Sequence, residues 1–372
     1  MKISSLELNN FMLFDKLSLR WSPKINIISG ENSTGKTTLI KAMYAVLKGV
    51  SENRLDKMNK EEIEGSLVKK IQGVFRPDDD KIGRLVSRGS GGGRASLSLG
   101  IGGEDSVSVG FSGRQDRHAD VSVNIGVAED GTAPYFPVYI PPKEMISATE
   151  HFQSLYEAYH IDFEEMYYDL TKLLDRPLQT GSIHLFIRKL FVKRCLQIIR
   201  RSRMSEQQNS VVESFGRIIN GSVVQRDKKF YLKMKGKGEF EMGLVSEGYR
   251  KLATIIYLIY SGSLNENSIL FWDEPETNMN PMIAEAVAKL AEMGVQVFIT
   301  THDYFVQQSF NLLSAYPAAG AAPPEIKFIS LYKEDDRLLF EEGATVSELN
   351  HNSIMEEFDN LYDREQDLIY GN

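Results

Sequence analysis

Hydrophobic and polar residues alternate near the start of the chain and then give way to a mostly apolar run. Residues 3–8 and 17–21 follow the period-two pattern, which predicts two strands joined near residues 10 and 11. We interpret the mostly apolar residues 25–28 as a buried strand. From residue 37 to residue 47 apolar side chains recur at spacings of three and four, which predicts a helix. The chain therefore opens with strands and a strand–loop–helix unit.

The pattern changes twice in the middle of the chain. Three alternating runs, at residues 96–99, 106–109 and 121–125, predict an antiparallel meander. From about residue 147 to residue 218 the chain is rich in leucine, tyrosine, isoleucine and charge, and we interpret it as an inserted helical lobe. Residues 221–242 then predict a hairpin.

The C-terminal part predicts helices and apolar strands in turn. A helix is predicted over residues 249–260, and strands over 269–274 and 295–300. The remainder predicts one strand pair followed by an acidic helix from about residue 353 to residue 368. This succession of elements is typical of an α/β protein.

Composition and charge narrow the class of protein. The 372 residues are 42% hydrophobic and 25% charged, which is typical of a globular protein. No apolar run reaches the roughly 18 residues that a membrane span needs, so we expect a cytoplasmic protein without membrane contact. The single cysteine, Cys195, excludes an internal disulfide framework, and the six histidines show no metal-ligand spacing.

The net charge of −8 argues against a protein that coats nucleic acid with its whole surface, but a local basic patch stays open. Residues 188–203 carry seven basic residues and no acid. A solvated helix face and a surface for a partner or for nucleic acid are both consistent with this segment.

The segment SGENSTGKTT, residues 29–38, separates the predicted strand from the predicted helix. Gly30, Gly35, Lys36 and Thr37 fit the spacing of a phosphate-binding loop, in which backbone N–H groups curl around a phosphate at the start of a helix. Because the required strand and helix flank the segment, we predict a nucleotide-binding loop here.

Two acidic residues follow an apolar strand of the kind that a nucleotide site needs. Asp273 ends the run that starts at Ile269, and Glu274 comes next. We expect Asp273 to hold Mg²⁺ together with the Thr37 hydroxyl, and Glu274 to act as the general base for water. A second apolar strand ends before His302, which can reach a γ-phosphate at the same edge of the sheet or serve as a hydrogen-bonded turn residue.

Four motifs, GENSTGKTT, VSEGYRKLATIIYLIYSG, ILFWDEPETNMNP and VFITTHD, occur in this order. Together they resemble the ATPase head of the ABC superfamily, in the branch of SMC, RecF and OLD-type ATPases. The opening KISSLELNNFMLFDKLSL is also similar to that branch. The resemblance implies an ABC-type P-loop head with a mixed sheet and the meander, formed by residues 1–146 and 221–372. Residues 147–220 would be the inserted helical lobe.

The resemblance also implies roles for individual residues. It assigns the nucleotide loop to Gly30, Asn32, Ser33, Gly35, Lys36, Thr37 and Thr38, with Ser33 standing where glycine is commonest. Ser246 and Gly248 match the signature motif, which contacts ATP held by another subunit and opens a helix suited to a γ-phosphate. Asn278 to Pro281 match the interfacial loop, and His302 matches the switch histidine.

The resemblance further implies ATP and Mg²⁺ as cofactors, and a homodimer or higher homo-oligomer formed through the ATP sites. The chain after Asp303 is too short for the nuclease domain of OLD-type nucleases. We therefore expect an ATPase that controls a separately encoded effector, such as a nuclease or toxin, in bacterial anti-phage defence. Two alternatives stay open: a RecF-like ATPase that binds DNA directly in repair, and an ATP-binding scaffold that sequesters its partner.

Overall fold

The computed structural model describes most of the chain. The described residues are 1–53, 55–88, 93–128, 131, 133–159, 161–176, 204–226, 228–276, 283–317, 322–335 and 337–371. Contacts divide the chain into two compact units. The first unit consists of Met1–Tyr139, Ile269–Glu276 and Gln296–Asn372, and the second of Ile140–Ser268 and Thr277–Val295.

Strands and helices alternate along the described residues and are numbered in chain order. The strands are β1 (Ser5–Phe11), β2 (Phe14–Arg20), β3 (Ile25–Gly30), β4 (Arg94–Gly100), β5 (Ser106–Ser112), β6 (Asp120–Asn124), β7 (Phe136–Ile140), β8 (Gly221–Arg226), β9 (Lys229–Met234), β10 (Gly238–Glu241), β11 (Ser268–Asp273), β12 (Gln296–Thr301), β13 (Ile326–Glu334) and β14 (Arg337–Gly343). The helices are α1 (Lys36–Ser51), α2 (Lys60–Phe75), α3 (Thr149–Tyr159), α4 (Glu165–Leu174), α5 (Glu206–Ile218), α6 (Glu247–Tyr260), α7 (Ile283–Glu292), α8 (Tyr304–Ala315) and α9 (Ser353–Tyr370).

A six-stranded sheet in the order β14-β13-β3-β12-β11-β7 forms the centre of the first unit. β13, β3, β12 and β11 run parallel, whereas β14 is antiparallel to β13. Every residue of β3, β11 and β12 is buried, which explains why these strands are apolar runs without alternation. The parallel strands bring the ends of β3, β11 and β12 to one edge of the sheet.

The predicted meander is part of a second, antiparallel sheet of the first unit, in the order β2-β1-β4-β5-β6. Alternate side chains such as Leu6, Leu8, Leu97 and Leu99 are buried, as the period-two pattern predicts. The turn between β1 and β2 falls at residues 12 and 13, slightly later than predicted.

Helices α3 to α7 and a small antiparallel sheet, in the order β10-β9-β8, form the second unit. α5 packs against α6 and α7, and the Tyr257 hydroxyl on α6 donates a hydrogen bond to the Arg176 carbonyl oxygen at 2.9 Å. The segment predicted to be helical contains α3, α4 and α5, whereas the basic patch at 188–203 and Cys195 lie outside the described residues. The second unit extends beyond residues 147–220, so the domain limits that we expected from the sequence stay a prediction.

The C-terminal helix α9 belongs to the first unit and buries none of its residues. Its acidic residues share the surface with large exposed apolar side chains. These apolar side chains are Phe358, Leu361, Tyr362, Leu368, Ile369 and Tyr370. They are spaced mainly by three, four and seven, so α9 exposes an apolar stripe between acidic residues.

Candidate nucleotide site

The loop between β3 and α1 has the backbone geometry of a phosphate cradle. Gly30, Ser33 and Gly35 all have positive φ angles, of 145°, 64° and 88°. A Cβ atom on Gly30 would lie 2.2 Å from the Leu331 carbonyl oxygen, so only glycine fits there. Ser33 adopts the left-handed conformation that explains why glycine is commonest at its position. The loop therefore turns tightly before α1 begins at Lys36.

Lys36 places a buried cation inside this loop. Its side chain is 5% exposed, and Nζ donates hydrogen bonds to the carbonyl oxygens of Gly30 at 2.7 Å and Glu31 at 2.8 Å. Burial lowers the pKa of the Lys36 ammonium, while Glu274, Glu276 and Asp273, among others, act in the opposite direction. The ammonium is thus held where the phosphates of a nucleotide would need a positive charge.

Asp273 is fixed by three hydroxyl groups at the end of β11. The Thr37 and Thr300 hydroxyls donate to Oδ1 at 3.0 and 2.5 Å, and the Tyr139 hydroxyl donates to Oδ2 at 2.9 Å. Asp273 itself is fully buried. A buried carboxylate tolerates such a position only when hydrogen bonds satisfy its oxygens.

The donor atoms at this position fit Mg²⁺. Mg²⁺ prefers oxygen ligands and is usually held by one or two carboxylates, water and substrate phosphates. Thr37 and Asp273 supply a hydroxyl and a carboxylate that are already within hydrogen-bond distance of each other. No group of three or more histidine, cysteine, aspartate or glutamate residues occurs among the described residues that could form a metal cage of its own.

The sequence analysis did not assign Tyr139 and Thr300 to the site. Thr300 lies directly opposite Asp273 in the register of β11 and β12, and this pairing is visible only in the folded sheet. Tyr139 occupies a buried position on β7, where a phenolic hydroxyl needs a partner. The sequence marks each of these two residues only by a side-chain hydroxyl group inside an otherwise apolar run.

Substituting phenylalanine for Tyr139 is expected to weaken binding of ATP with Mg²⁺ by about tenfold, because partners of a metal ligand typically contribute 10- to 100-fold. Binding of ATP in the presence of EDTA should change little. Isothermal titration calorimetry with and without Mg²⁺ measures both. Tyr135→Phe is the matched control, since the buried Tyr135 hydroxyl has no hydrogen-bond partner among the described residues. Equal Mg²⁺ dependence in the two variants would contradict the role of Tyr139.

Glu274 and His302 lie next to each other at the same edge of the sheet. Glu274 has a φ angle of 45°, and its N–H donates a hydrogen bond to the Thr300 hydroxyl at 3.1 Å. This uncommon backbone conformation re-aims the chain directly after Asp273. His302 Nδ1 lies 3.5 Å from Glu274 Oε1, and the His302 side chain is 48% exposed.

Glu276 is the acidic residue at this edge that the sequence analysis did not assign. Its side chain is only 7% exposed, and its Oε1 lies 3.1 Å from His302 Nδ1. Burial raises the pKa of the Glu276 carboxyl group, whereas the hydrogen bond from the backbone N–H of His302 lowers it. The signal in the sequence was the second glutamate in Asp273-Glu274-Pro275-Glu276.

The predicted site residues fall into three groups, which lie in the first unit, in the second unit and outside the described residues. Lys36, Thr37, Asp273, Glu274 and His302 lie together in the first unit. In the loop, Asn32 and Ser33 are exposed, while Thr38 is half-buried on α1. Asn278 to Pro281 lie outside the described residues.

The predicted signature residues belong to the second unit, at the start of α6. Ser246 is the residue before the helix, is exposed, and makes no capping hydrogen bond with its side chain. Gly248 is buried in the first turn. The first N–H groups of a helix have no intrahelical partner, so this end of α6 is suited to accept an anion.

Two family models match the chain. Residues 1–187 match the model described as the AAA ATPase domain. Residues 139–306 match an AAA domain model whose description also mentions the AbiEii toxin of a type IV TA system.

Curated relatives match over short segments. The DNA replication and repair protein RecF of Lachnoclostridium phytofermentans is 37% identical over 67 residues, 17% of this chain and 19% of that protein. RecF of Oceanobacillus iheyensis is 36% identical over 81 residues, 20% of this chain and 22% of that protein. RecF of Idiomarina loihiensis is 50% identical over 44 residues, 12% of each chain. The matches thus span about a fifth or less of these relatives' length.

A solved structure with a similar fold covers nearly the whole chain. The crystal structure of the SmcHead bound to the C-winged helix domain of ScpA has a TM-score of 0.53 at 13% sequence identity. The similarity covers 94% of this chain and 99% of that one. At this identity the likeness shows the fold, and it confirms the predicted α/β architecture of an ABC-type P-loop ATPase head with a mixed sheet, an antiparallel meander and a helical insertion.

Proposed function

The chain belongs to the AAA ATPase domain family, and on this premise we propose that two copies bind ATP between them and that its hydrolysis controls a separately encoded effector protein. The observation that carries the proposal is the group of Lys36, Thr37, Asp273, Glu274 and His302 at one edge of the sheet. These residues supply a cation, a metal-binding pair and an acid–base pair within one unit.

The residues have distinct chemical roles in the proposed reaction. Lys36 neutralises charge on the β- and γ-phosphates, and Thr37 and Asp273 would hold Mg²⁺, which would supply further neutralisation of phosphate charge. Glu274 accepts a proton from water, whose oxygen forms a bond to the γ-phosphorus. The bond from that phosphorus to the β–γ bridging oxygen breaks, and ADP and phosphate leave. We propose that His302, whose Nδ1 lies 3.5 Å from Glu274 Oε1, contacts the transferred phosphoryl group.

The start of α6 supports the second copy in this proposal. Ser246 is exposed and its hydroxyl is not used as a cap, so it is available to a ligand outside its own helix. Helix N-termini attract phosphate through unpaired N–H groups and the helix dipole. We propose that this end of α6 contacts ATP held by another copy, so that ATP closes a homodimer.

Three further observations support an effector partner. The solved SMC head was crystallised with a domain of ScpA, and the description of the AAA domain model mentions a toxin of a TA system. In this chain α9 exposes an apolar stripe, in which Phe358 stacks on Tyr304 and the other members are exposed. A stripe of this kind rimmed by acidic residues fits an apolar protein surface with basic edges. We propose that the effector binds there, and that the system acts in anti-phage defence as OLD-type ATPases do.

A second candidate function is direct DNA binding in repair, favoured by the RecF matches and by a basic groove in the second unit. The groove lies between the end of α5 and the turn after β9, and its charged lining residues are three cations, Arg217, Lys233 and Lys235, and one acid, Glu213. The three basic side chains are exposed and form no ion pair with a described residue. Unpaired cations along a groove suit a phosphate backbone.

No helix in the described part of the chain could span a bilayer.

Co-expression with the product of the neighbouring gene tests the two functions. We expect the two proteins to co-purify, and Glu274→Gln to change how much partner stays bound, because ATP can drive a change only through unequal affinity for two states. Size-exclusion chromatography with light scattering gives the stoichiometry.

A chain that stays alone with and without ATP would contradict the effector proposal. Duplex DNA binding that weakens steeply with salt and is lost in Lys233→Glu/Lys235→Glu would instead support the repair function. Lys16→Glu/Lys333→Glu is the matched control, since it makes the same charge change at exposed lysines of the first unit.

A further inference from the structure

His302 faces two carboxylates, and they are not equivalent. Its Nδ1 lies 3.1 Å from Glu276 Oε1 and 3.5 Å from Glu274 Oε1. Both are distances at which a ring N–H is attracted to a carboxylate, and the attraction is stronger at the shorter distance. The geometry therefore favours Glu276 as the partner of the ring.

Glu276 holds the backbone of His302 as well as its ring. The same Oε1 atom accepts a hydrogen bond from the His302 N–H at 2.8 Å and one from the Thr301 hydroxyl at 3.0 Å. Thr301 in turn accepts from the Asp303 N–H at 3.0 Å, and the Asp303 side chain caps α8 by accepting from the Val306 N–H at 2.8 Å. The end of β12 and the start of α8 are therefore tied to one carboxylate.

The second oxygen of Glu276 is buried and has no hydrogen-bond partner among the described residues. Such an atom lowers stability, because it has lost water without gaining a partner. An apolar side chain at this position would avoid that cost, but it could not accept the two hydrogen bonds at Oε1 or attract the His302 ring. The contacts of Oε1 are therefore the reason to place a carboxylate here.

We infer that Glu276 is a positioning residue, which holds His302 with the proton on Nδ1 and its ring turned toward the nucleotide edge. A carboxylate or carbonyl oxygen at one ring nitrogen fixes the tautomer of a histidine, so Nε2 becomes the atom that meets the substrate. Glu276 thus acts on hydrolysis through His302, while Glu274 has the role of general base. The inference rests on the proposed function only in taking His302 as a residue of the hydrolytic site.

In a second glutamate–histidine pair of the chain, the glutamate also contacts both the ring and the backbone N–H of the histidine. Glu341 Oε1 lies 2.6 Å from His351 Nδ1, and the other oxygen, Oε2, accepts from the His351 N–H at 3.0 Å. This pair lies at β14 and the segment that follows it, outside the candidate nucleotide site. Glu341→Ala removes the same kind of contact elsewhere in the first unit, which makes it a matched control.

The test compares Glu276→Ala with Glu276→Gln in the full-length protein. Alanine removes the acceptor, whereas glutamine keeps an acceptor oxygen of the same shape. We expect Glu276→Ala to lower kcat by about 10- to 100-fold with KM for ATP nearly unchanged, less than the roughly 10²- to 10⁴-fold of a direct acid–base group. Glu276→Gln should keep most of kcat, and Glu341→Ala should equal the parent.

Long-range proton–nitrogen NMR of the histidine rings gives a readout that does not depend on turnover. We expect His302 to be protonated on Nδ1 in the parent and in Glu276→Gln, and to show mixed tautomers in Glu276→Ala. Equal tautomers and equal kcat in the parent and Glu276→Ala would overturn the inference, as would identical losses in both Glu276 variants. A parent chain without ATPase activity would contradict the proposed function alone, because the tautomer still tests Glu276. If Glu276→Ala does not fold, the inference is tested by the His302 tautomer in the parent and in Glu276→Gln. It is overturned if His302 is not protonated on Nδ1 in these two proteins.

Discussion

Replacing Lys36 with alanine is expected to abolish ATP binding in practical terms, with a loss of at least about 100-fold in affinity. The ammonium is the cation that the structure places inside the phosphate loop, on the carbonyl oxygens of Gly30 and Glu31. Hydrogen bonds to charged groups contribute about 1.5 to 3 kcal/mol each, and a lysine here serves two phosphates. The variant therefore loses about 3 kcal/mol or more, which corresponds to about two powers of ten.

Isothermal titration calorimetry with ATP and Mg²⁺ measures the affinity of the Lys36 variant. Lys16→Ala is the control, because Lys16 is an exposed lysine on β2. Both proteins should unfold at similar temperatures. An unchanged affinity in Lys36→Ala would show that this loop does not bind the nucleotide.

Replacing Glu274 with glutamine is expected to leave ATP binding intact and to slow hydrolysis by about 10²- to 10⁴-fold, the usual contribution of a general base. The amide keeps the size of the side chain but cannot take the proton of water. Because ATP then stays bound, the variant should form a longer-lived dimer in the presence of ATP and Mg²⁺.

Phosphate release and light scattering measure the two effects of Glu274→Gln, with Glu334→Gln, an exposed change on β13, as the control. Hydrolysis at the parental rate would assign the base to another residue. A parent that binds ATP with no measurable turnover would instead favour the ATP-binding scaffold.

Much of the fold follows from local pattern, because burial and periodicity are tightly linked in this chain. The fully buried strands β3, β11 and β12 are the runs that lack alternation, and the meander strands are the runs that keep it. The residues of the phosphate loop could also be predicted from the sequence, because the tight backbone turn of the loop fixes the spacing between them.

Residues that act across strands could not be predicted in the same way. Thr300 reaches Asp273 because β11 and β12 have a particular register, and Tyr139 reaches it from β7. Glu276 looked like an ordinary acidic residue after a strand, and only folding shows that it is buried against His302. Such contacts depend on the order and register of all strands in the sheet. The pattern of residues along one strand therefore does not reveal them. The roles assigned to Asn278 to Pro281 stay predictions.

The position of β3 in the central sheet has a consequence for how the protein is made. β3 ends at Gly30, whereas its two neighbours, β12 and β13, begin at Gln296 and Ile326. At a synthesis rate of about 5 to 20 residues per second, the ribosome needs roughly 10 to 60 seconds to supply the first of these neighbours. Throughout that interval an apolar strand has both edges open to mispairing with other chains. The nascent chain is therefore expected to depend on chaperones until β12 and β13 emerge.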